Sequence, residues 1–285
     1  RQLGAGGTGR VYLARDSVQG GELVALKRIE ARSELELLLV KRGFRAAAHL
    51  NHPNVVRLFE LGVDAEGWFM TMEYVDGQAL PQWLGRLAQQ GRGLDETLPP
   101  SGTPRGGETP SAAVLDARGT ERLRSLLPQL VAGVAALHDS GLLHRDIKPD
   151  NVLVTASGRA VLVDVGLVLA QSVASSGELV GTAAYLAPEL ARGRPATPSS
   201  DWYSLGATLF DVLAGRPPHG GSHAEIMAAL REERRPAWPV GVDSELAGLV
   251  DSLIGNGCAR MPGDAVRRRF GCPLAVPEEL LGRHV

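Results

Sequence analysis

Short apolar runs separated by turn residues dominate the N-terminal part of the chain and predict β-strands. Gln19–Gly21 separates one pair of runs, and Asp64–Gly67 separates another as a hairpin turn. The predicted strands are Val11–Ala14, Leu23–Lys27, Leu58–Leu61 and Trp68–Met72.

Helical spacing of apolar residues appears between these strands and again after residue 120. The first helix is predicted to begin at Ser33, because Ser33 and Glu36 have the spacing of a capping box. Its apolar stripe is predicted to contain Leu35, Leu38, Leu39 and residues 46–50. A second helix is predicted over Leu123–His138, with a buried side of Leu126, Leu127, Leu130, Val131, Val134 and Leu137.

The second half of the chain adds a strand pair and a further helix. Val152–Val154 and Ala160–Val163 predict a hairpin that turns at Ser157-Gly158. Asp201 precedes a helix that we expect to be buried through Leu209, Val212 and Leu213. Residues 89–119 are rich in Gly, Pro, Ser and Thr and lack apolar periodicity, which indicates a flexible surface insertion. A tolerated insertion is favoured there over a substrate-binding or partner-binding segment.

Composition narrows the class of protein. The chain has 285 residues, 44% hydrophobic and 22% charged, with a net charge of −2. These values fit a soluble globular protein and give no overall attraction to nucleic acid or to an anionic membrane. The basic run 267–269 is interpreted as a solvated helix face. Cys258 and Cys272 have the spacing of neither a zinc site nor a required disulfide, so we expect a reducing, cytoplasmic setting.

The sequence predicts neither a membrane span nor an N-terminal signal peptide in this segment. No apolar run approaches the ~18 residues of a membrane span, and no signal peptide opens the sequence. We therefore expect no membrane contact from this segment. Because its first residues already belong to a motif, the natural polypeptide is expected to extend upstream, where a membrane tether could lie.

Gly4–Val11 reads G-x-G-x-x-G-x-V, a glycine-rich segment that can bring backbone amides close to phosphate oxygens. The same glycine spacing occurs in dinucleotide-binding folds, where a helix follows directly. Here a strand, a turn and a second strand follow. The segment is therefore interpreted as a phosphate-binding hairpin.

The most specific chemical pattern is His144–Asn151, which reads H-R-D-x-K-x-x-N. Asp146 could accept a hydroxyl proton, Lys148 could neutralise a transferring phosphoryl group, and Asn151 could bind a metal through its oxygen. The predicted hairpin after it returns Asp164 to the same place. The segment between 144 and 164 thus predicts one site for phosphoryl transfer.

Together these motifs resemble bacterial eukaryotic-like (Hanks-type) serine/threonine protein kinases. The resemblance also includes V-A-L-K ending at Lys27, L-N-H-P-N-V-V at residues 50–56 and G-T-A-A-Y-L-A-P-E at residues 181–189. It is strong from Gly4 to His219 and weak beyond. It implies an α+β, two-lobed fold, with residues 1–75 as a small antiparallel β-sheet lobe carrying one regulatory helix. Residues 76–285 form a large, mainly α-helical lobe with the insertion at about 89–119.

The resemblance implies transfer of the γ-phosphoryl group of ATP to Ser or Thr of protein substrates in bacterial signal transduction. Mg²⁺ or Mn²⁺ would assist, and self-association could serve autophosphorylation. The implied catalytic residues are Asp146, Lys148 and Thr182, and the implied metal ligands are Asn151 and Asp164. The implied ATP contacts are Gly4, Ala5, Gly6, Gly9, Val11, Ala25, Lys27, Met72, Glu73, Val75 and Leu153. His144, Arg145, Glu189 and Asp201 would be structural or regulatory.

Two regulatory features are also implied. Ser172, Ser175 and Ser176 are candidate phosphorylation sites, with Arg145 available to pair with a phosphoserine. Arg260 is the predicted partner of Glu189, and Arg267 is the alternative.

Two positions depart from the family pattern. Counting back from residues 50–56, the helix glutamate that pairs with the strand lysine falls at Gly43, and D-F-G reads Asp164-Val165-Gly166. Glu36 lies about 10 Å away along the helix and cannot easily substitute. These departures keep a second hypothesis open, a pseudokinase or nucleotide-binding scaffold. A small-molecule phosphotransferase is disfavoured by Lys148 and by residues 181–189.

Overall fold

The N-terminal lobe is built on a five-stranded antiparallel sheet in the order β1-β2-β3-β5-β4. The structure, a computed structural model, describes residues 1–6, 9–17, 20–31, 33–85, 114–165, 183–255 and 260–272. All four predicted strands are confirmed. The strands are β1 Gln2–Gly6, β2 Gly9–Asp16, β3 Glu22–Arg28, β4 Leu58–Asp64 and β5 Gly67–Glu73.

Helix α1, Glu34–Ala47, packs on this sheet and begins where the sequence predicts. The Ser33 hydroxyl caps it by accepting the backbone N–H of Glu36 at 3.2 Å. The predicted apolar stripe is confirmed only at its end, where Ala47 is buried and Leu50 packs against the core. Leu35 and Leu38 are 62% and 52% exposed, and Ala46 is exposed as well.

The packed face of α1 consists of Val40, Phe44 and Ala47. These residues have the i, i+4, i+7 spacing of one helical stripe. Because successive residues turn by 100°, Leu35 and Leu38 lie well away from that stripe around the helix. The charged residues and the glycine at positions 41–43 interrupt this packed stripe in the sequence, so the apolar spacing did not indicate it.

A small three-stranded sheet, in the order β6-β7-β8, connects the lobes. Its strands are β6 Gly77–Ala79, β7 Val152–Thr155 and β8 Ala160–Leu162, and the short helix α2, Leu80–Trp83, follows β6. Val55 forms a parallel bridge with Leu162, and the Asn54 side chain donates to the Ala160 carbonyl at 2.7 Å. The segment after α1 is therefore attached directly to the strands that follow the loop at 144–151.

Helix α3 runs over Ala117–Asp139 and starts earlier than the predicted Leu123. Asp116 caps it by accepting the N–H of Gly119 at 2.7 Å, and Leu115 is buried. Residues 114–119 therefore belong to the ordered helix start, whereas the sequence assigned them to the insertion. The predicted buried side, from Leu126 to Leu137, is confirmed.

The C-terminal lobe is organised around α5, Pro198–Ala214, whose residues are almost all buried. Gly215 ends α5 in the left-handed conformation, at φ 79°. The other helices are α4 Pro188–Ala191, α6 His223–Arg231, α7 Ser244–Leu253 and α8 Gly263–Arg269. This β-sheet lobe and helical lobe confirm the predicted two-lobed α+β fold. Within the described ranges, no helix is both long and apolar enough to span a bilayer.

The basic run at the end of α8 differs from its interpretation as a solvated face. Arg268 and Arg269 are exposed, but Arg267 is buried. Its guanidinium donates to the Ala135 carbonyl at 3.0 Å and pairs with Asp139 at 2.5 Å. Arg267 therefore attaches α8 to the last turns of α3, where a backbone carbonyl and the Asp139 carboxylate stabilise the buried cation.

Candidate active site

Asp201, which is 1% exposed, fixes the backbone of the loop at 144–151. Its carboxylate accepts the backbone N–H groups of His144 and Arg145, both at 2.8 Å. It also lies 2.9 Å from Nε2 of His138. Arg145 has φ 67°, an uncommon conformation for a residue with a side chain. The buried carboxylate thus fixes a turn that the backbone would not adopt readily by itself.

Asp146 projects from this loop with two side-chain partners. Its Oδ2 accepts from Lys148 Nζ at 2.7 Å and from Asn151 Nδ2 at 2.8 Å. Its Oδ1 makes no hydrogen bond within the part of the chain that the structure describes. The side chain is 24% exposed, so solvent or a hydroxyl group can reach it. One carboxylate oxygen is thus held, and the other is available.

The Asn151 amide is oriented by the same contacts. Nδ2 donates to the carbonyl oxygen of Asp146 at 2.8 Å as well as to its carboxylate. Both amide protons are therefore used, which leaves Oδ1 as an acceptor. The backbone continues directly from this position into β7, and Asn151 O accepts from Val163 N at 2.9 Å.

Asp164 follows β8 and lies opposite, across the cleft, with φ 61°. Its Oδ1 forms an ion pair with Lys27 Nζ of β3, so the strand lysine and this carboxylate meet between the lobes. Burial opposes ionisation of Asp164, but the nearby Lys27 and Lys148 charges outweigh it and hold the pKa of the carboxyl below its usual value. Asp164 is therefore an anion near neutral pH.

These groups fit a magnesium ion that is bound together with nucleotide phosphates. Asp164 offers a carboxylate and Asn151 a free amide oxygen, the hard oxygen ligands that Mg²⁺ prefers. No group of three or more His, Cys, Asp or Glu side chains arranged for a metal occurs among the described residues. Such a group is not required, because Mg²⁺ commonly uses one or two protein ligands and takes the remainder from phosphates and water.

An apolar cluster lies where the resemblance predicts the adenine ring. Ala25, Met72 and Val75 are buried in the hydrophobic core, and the half-buried Val11 and Leu153 pack against it. Ala25 and Met72 are partners in the β3–β5 ladder. Residues 74–76 connect β5 to β6 and form the extended link between the lobes.

The glycine-rich segment pairs as a hairpin between β1 and β2, whereas the strand pair predicted from the sequence forms β2 and β3. In the β1–β2 ladder, Gly4 pairs with Val11, Ala5 with Arg10 and Gly6 with Gly9. Gly9 has φ 126°, and a side chain there would collide with the carbonyl oxygen of Arg28. Glycine is therefore required at this position for both conformation and space.

Lys27 is positioned differently from the family pattern. It is 8% exposed, and the described part of the chain contains no ion pair between it and α1. Gly43 is half-buried on α1 and brings no carboxylate. Val165 is 7% exposed within the core cluster, so the smaller residue in the D-F-G position is still packed. Asp164 is thus the partner that holds Lys27 in this state.

His144 is completely buried and neutral in character. Burial lowers its pKa below the ordinary histidine value, although nearby Asp201 and Asp146 partly offset the effect. Its Nδ1 accepts from Asp146 N at 3.4 Å. Among the described residues, no hydrogen-bond partner occurs for His144 Nε2 or for Arg145 Nε.

A buried ion pair joins the end of the 181–189 motif to the segment just before α8. Arg260 donates to both oxygens of Glu189, at 2.9 and 3.1 Å, and its side chain is 7% exposed. Arg260 is therefore the partner of Glu189, as predicted, and Arg267 is not. Tyr185 adds a second attachment, because its hydroxyl donates to Asp211 at 2.5 Å.

The Glu189–Arg260 pair predicts a pH-dependent contribution to stability. Burial opposes ionisation of Glu189, but Arg260 and Ser200 outweigh it and lower the pKa of the carboxyl below its ordinary value of 4.5. A lowered folded-state pKa stabilises the fold above the unfolded-state value, and this stability is lost as pH falls through the folded-state pKa. Urea unfolding should show Glu189→Gln less stable than wild type at pH 7, with the difference shrinking below pH 4.5. A difference that stays constant down to acid pH would contradict this assignment.

Several predicted residues lie outside the described ranges. They are Thr182, the candidate phosphorylation sites Ser172, Ser175 and Ser176, and Gly166. Their roles remain predictions.

Two residues that support the site were not predicted from the sequence. His138, in the last turn of α3, contacts Asp201, and its ring packs edge-on against Trp202 with centroids 5.4 Å apart. Arg159 forms an ion pair with Glu73 at the link between the lobes. Neither residue belongs to a local motif, and each partner is distant in sequence, so no pattern in the chain indicated them.

The fold has a β-sheet lobe with a glycine-rich hairpin and a helical lobe that carries the loop with Asp146. Comparison with known proteins identifies the family, because the protein kinase domain model matches residues 1–255. The chain therefore belongs to the protein kinase domain family.

Named relatives agree with this family. The serine/threonine-protein kinase PknL of Mycobacterium bovis is 33% identical, over 98% of this chain and 65% of its own length. The probable serine/threonine-protein kinase PknB of Lactococcus lactis is 31% identical, over 89% of this chain and 37% of its own length. PrkC of Bacillus subtilis, also a serine/threonine-protein kinase, is 31% identical, over 80% and 32% respectively. The chain thus spans less than two thirds of the length of these relatives.

Proposed function

We propose that this chain is the catalytic domain of a bacterial serine/threonine protein kinase, which transfers the γ-phosphoryl group of ATP to a protein hydroxyl. The observation that carries the proposal is the arrangement around Asp146. Lys148 and Asn151 hold one oxygen of its carboxylate at 2.7 and 2.8 Å, and the other oxygen is available to a hydroxyl. The relatives' names, all serine/threonine-protein kinases, support the same acceptor class.

Asp146 orients the acceptor hydroxyl and accepts its proton as the oxygen attacks the γ-phosphorus. The bond from the γ-phosphorus to the bridging oxygen then breaks. Lys148 Nζ, already 2.7 Å from the Asp146 carboxylate, is placed to neutralise charge on the transferring group. Positioning and charge stabilisation supply most of the rate in this chemistry, because the transition state is loosely bonded.

Asn151 and Asp164 would hold Mg²⁺, which supplies neutralisation of the β- and γ-phosphate charge when bound. Lys27 would bind the α- and β-phosphates, with the hairpin amides of β1–β2 beside it. In the present state Lys27 pairs with Asp164. Part of the affinity for metal and nucleotide must therefore be used to separate these two side chains, a step that a glutamate on α1 would make easier.

The missing glutamate gives a direct prediction. Gly43→Glu should raise kcat, by up to about tenfold if the restored pair contributes about 1.4 kcal/mol to the transition state. It should also raise the free energy of unfolding by about 0.5–1 kcal/mol, because glycine weakens a helix interior. The measurements are steady-state phosphorylation and urea unfolding.

Two control variants separate these effects. Gly43→Ala removes the helix penalty without adding a carboxylate, and Gly43→Gln adds the same length without charge. An equal rate increase in Gln and Glu variants would contradict the ion-pair explanation, and so would an unchanged rate in Gly43→Glu.

Acceptor specificity tests the proposed function itself. Peptides that are identical except for a single Ser, Thr or Tyr should be phosphorylated only at Ser and Thr, with ATP and a divalent metal both required. Transfer to tyrosine at a comparable rate, or to a small-molecule hydroxyl in preference to peptides, would refute the proposal. The predicted phosphorylation of Ser172, Ser175 or Ser176 can be read by mass spectrometry in the same samples.

A further inference from the structure

The link between the lobes, residues 74–76, is attached to the β7–β8 hairpin at both of its ends. After the link, Gly77 pairs with Thr155 in the β6–β7 ladder. Before the link, the carboxylate of Glu73 forms an ion pair with Arg159. The first attachment is part of a sheet, whereas the second depends on one side chain from each lobe.

Glu73 is the last residue of β5 and is fixed in the N-terminal lobe through its backbone. It pairs with Val24 in the β3–β5 ladder, and its N–H donates to the Arg57 carbonyl at 2.8 Å. The segment that ends at Arg57 is bonded to β8 in turn, because Val56 N donates to Leu162 O at 2.9 Å. Glu73 therefore lies where the link meets this second connection between the lobes.

Arg159 is fixed in the C-terminal lobe, also through its backbone. Its carbonyl accepts the N–H of Thr155 at 3.0 Å, and its own N–H donates to the Thr155 hydroxyl at 3.1 Å. The side chain of Gln129, on α3, donates to the Gly158 carbonyl at 2.9 Å and accepts the N–H of Ala160 at 3.0 Å. The guanidinium thus extends from a turn whose neighbouring residues are bonded to α3.

The Arg159–Glu73 pair is one of two ion pairs that connect the lobes within the residues that the structure describes. The other is Lys27–Asp164, which the proposed function requires to separate when metal and nucleotide bind. Neither Arg159 nor the Glu73 carboxylate belongs to the groups proposed to bind phosphate or metal. The pair at the link therefore persists when the pair in the cleft is broken.

Two predicted nucleotide contacts lie on the segments that this pair joins. Val75 is the middle residue of the link, and Leu153 lies in β7, where it pairs with Ala79 of β6. Val75 is buried in the hydrophobic core, and Leu153 packs against it. The position of the link relative to the hairpin therefore sets the spacing of these two contacts.

We propose that Arg159 is a positioning residue for the nucleotide, because its ion pair with Glu73 holds the link in the conformation that contacts adenine. This role rests on the proposed function, since the nucleotide is that of the proposed reaction. A segment already held in its bound conformation loses less entropy on binding, which increases affinity. The Arg159 and Glu73 side chains are 36% and 26% exposed, so solvent screens the pair and its effect is moderate.

The test compares Arg159→Gln, which removes the charge, with Arg159→Lys, which keeps it. Arg124→Gln is the matched control, because Arg124 is 31% exposed and pairs with Asp243 at 2.9 Å within the C-terminal lobe. Calorimetry measures the affinity for ADP with Mg²⁺, which binds without transfer. Glu73→Gln and the double variant with Arg159→Gln complete a double-mutant cycle.

Affinity for ADP should fall about three- to fivefold in Arg159→Gln, the range that a partly exposed ion pair can contribute. It should stay near the wild-type value in Arg159→Lys and Arg124→Gln. The double variant should lose no more affinity than Arg159→Gln alone, because both substitutions remove the same pair. In steady-state phosphorylation, Arg159→Gln should raise KM for ATP and leave kcat unchanged, since Arg159 does not contact Asp146 or its partners.

Hydrogen exchange of a peptide covering residues 70–79 gives a measurement that needs no nucleotide. Exchange should be faster in Arg159→Gln than in wild type and Arg124→Gln, because one end of the link is released. If the wild type bound no ADP, the proposed function would fail whatever the exchange rates. If the wild type bound ADP and Arg159→Gln matched Arg124→Gln in affinity or in exchange, the positioning role of Arg159 alone would be refuted. Lower kcat at an unchanged KM would refute it as well.

Discussion

Asp146→Asn is expected to lower kcat for phosphoryl transfer by about 10²–10⁴-fold, the usual contribution of a positioned general base. The asparagine can occupy the same space and keep a contact with Asn151 or Lys148, but its amide cannot accept the hydroxyl proton. Nucleotide affinity should change little, because the predicted ATP contacts lie on β1, β2, β3, β5 and β7 and at Val75 in the link between the lobes. Single-turnover transfer and calorimetric binding of nucleotide measure the two effects separately.

Asp150→Asn provides the matched control for this prediction. Asp150 lies in the same loop and is exposed, so its loss should leave the rate near that of wild type. If both variants lost activity equally, the loop conformation rather than the Asp146 carboxylate would explain the result. If Asp146→Asn kept full activity, the proposed base would be wrong.

The second large effect, a loss of both stability and kcat, is expected when Asp201 is substituted. Both oxygens of its carboxylate accept hydrogen bonds, Oδ2 from His144 N and Oδ1 from Arg145 N, and His138 also contacts Oδ2. In Asp201→Asn one oxygen becomes an amide NH₂ that faces a donor. At least one buried N–H then lacks an acceptor, at about 1–3 kcal/mol for each such group.

Asp201→Asn should therefore lower the free energy of unfolding by several kcal/mol and also reduce kcat, because Arg145 relies on the same contacts for its turn. Urea denaturation and steady-state kinetics check these two results. Asp251→Asn is the control, since Asp251 is exposed on α7 and contacts only the Trp238 indole at 2.9 Å among the described side chains. Its effect should stay within about 0.5 kcal/mol. An Asp201 variant as stable and active as that control would show that the brace is dispensable.

Local patterns predicted the parts of the fold whose determinants are adjacent in sequence. The strands follow alternation and turn residues, and the loop at 144–151 follows a motif of eight consecutive positions. The α1 face could not be identified in this way, because Leu35 and Leu38 look more apolar than the Val40, Phe44 and Ala47 stripe that packs. Hydrophobicity indicated a helix, and only the position of the sheet decided which side was buried.

Contacts between residues that are distant in sequence set a second limit on what the sequence could predict. The sequence alone placed Arg267 in a solvated basic run. In the fold, Asp139 of α3 lies beside it and forms an ion pair with it. His138 and Arg159 likewise acquire their roles from partners that are 63 and 86 residues distant. The Glu189–Arg260 pair was predictable only because the family resemblance named the glutamate, since the two residues are 71 positions apart.

The pairing of Lys27 with Asp164 shows which residue contacts the lysine when Gly43 stands in place of the helix glutamate. In the family pattern a glutamate on the helix holds the lysine, which leaves the metal-binding aspartate unpaired. Here Asp164, the predicted metal ligand, is the residue that pairs with Lys27 in the state described. The contacts of Asp146 with Lys148 and Asn151 do not involve Lys27 or Gly43. The expected consequence of the exchange is therefore slower assembly of the proposed site rather than its loss.

Transfer of label from γ-labelled ATP in the presence of Mg²⁺, with nucleotide binding measured on the same sample, tests the central claim most directly. The account predicts metal-dependent labelling of serine and threonine residues that Asp146→Asn abolishes while nucleotide still binds. Saturable binding of ATP by the wild-type protein without any transfer to protein, under Mg²⁺ or Mn²⁺, would contradict it.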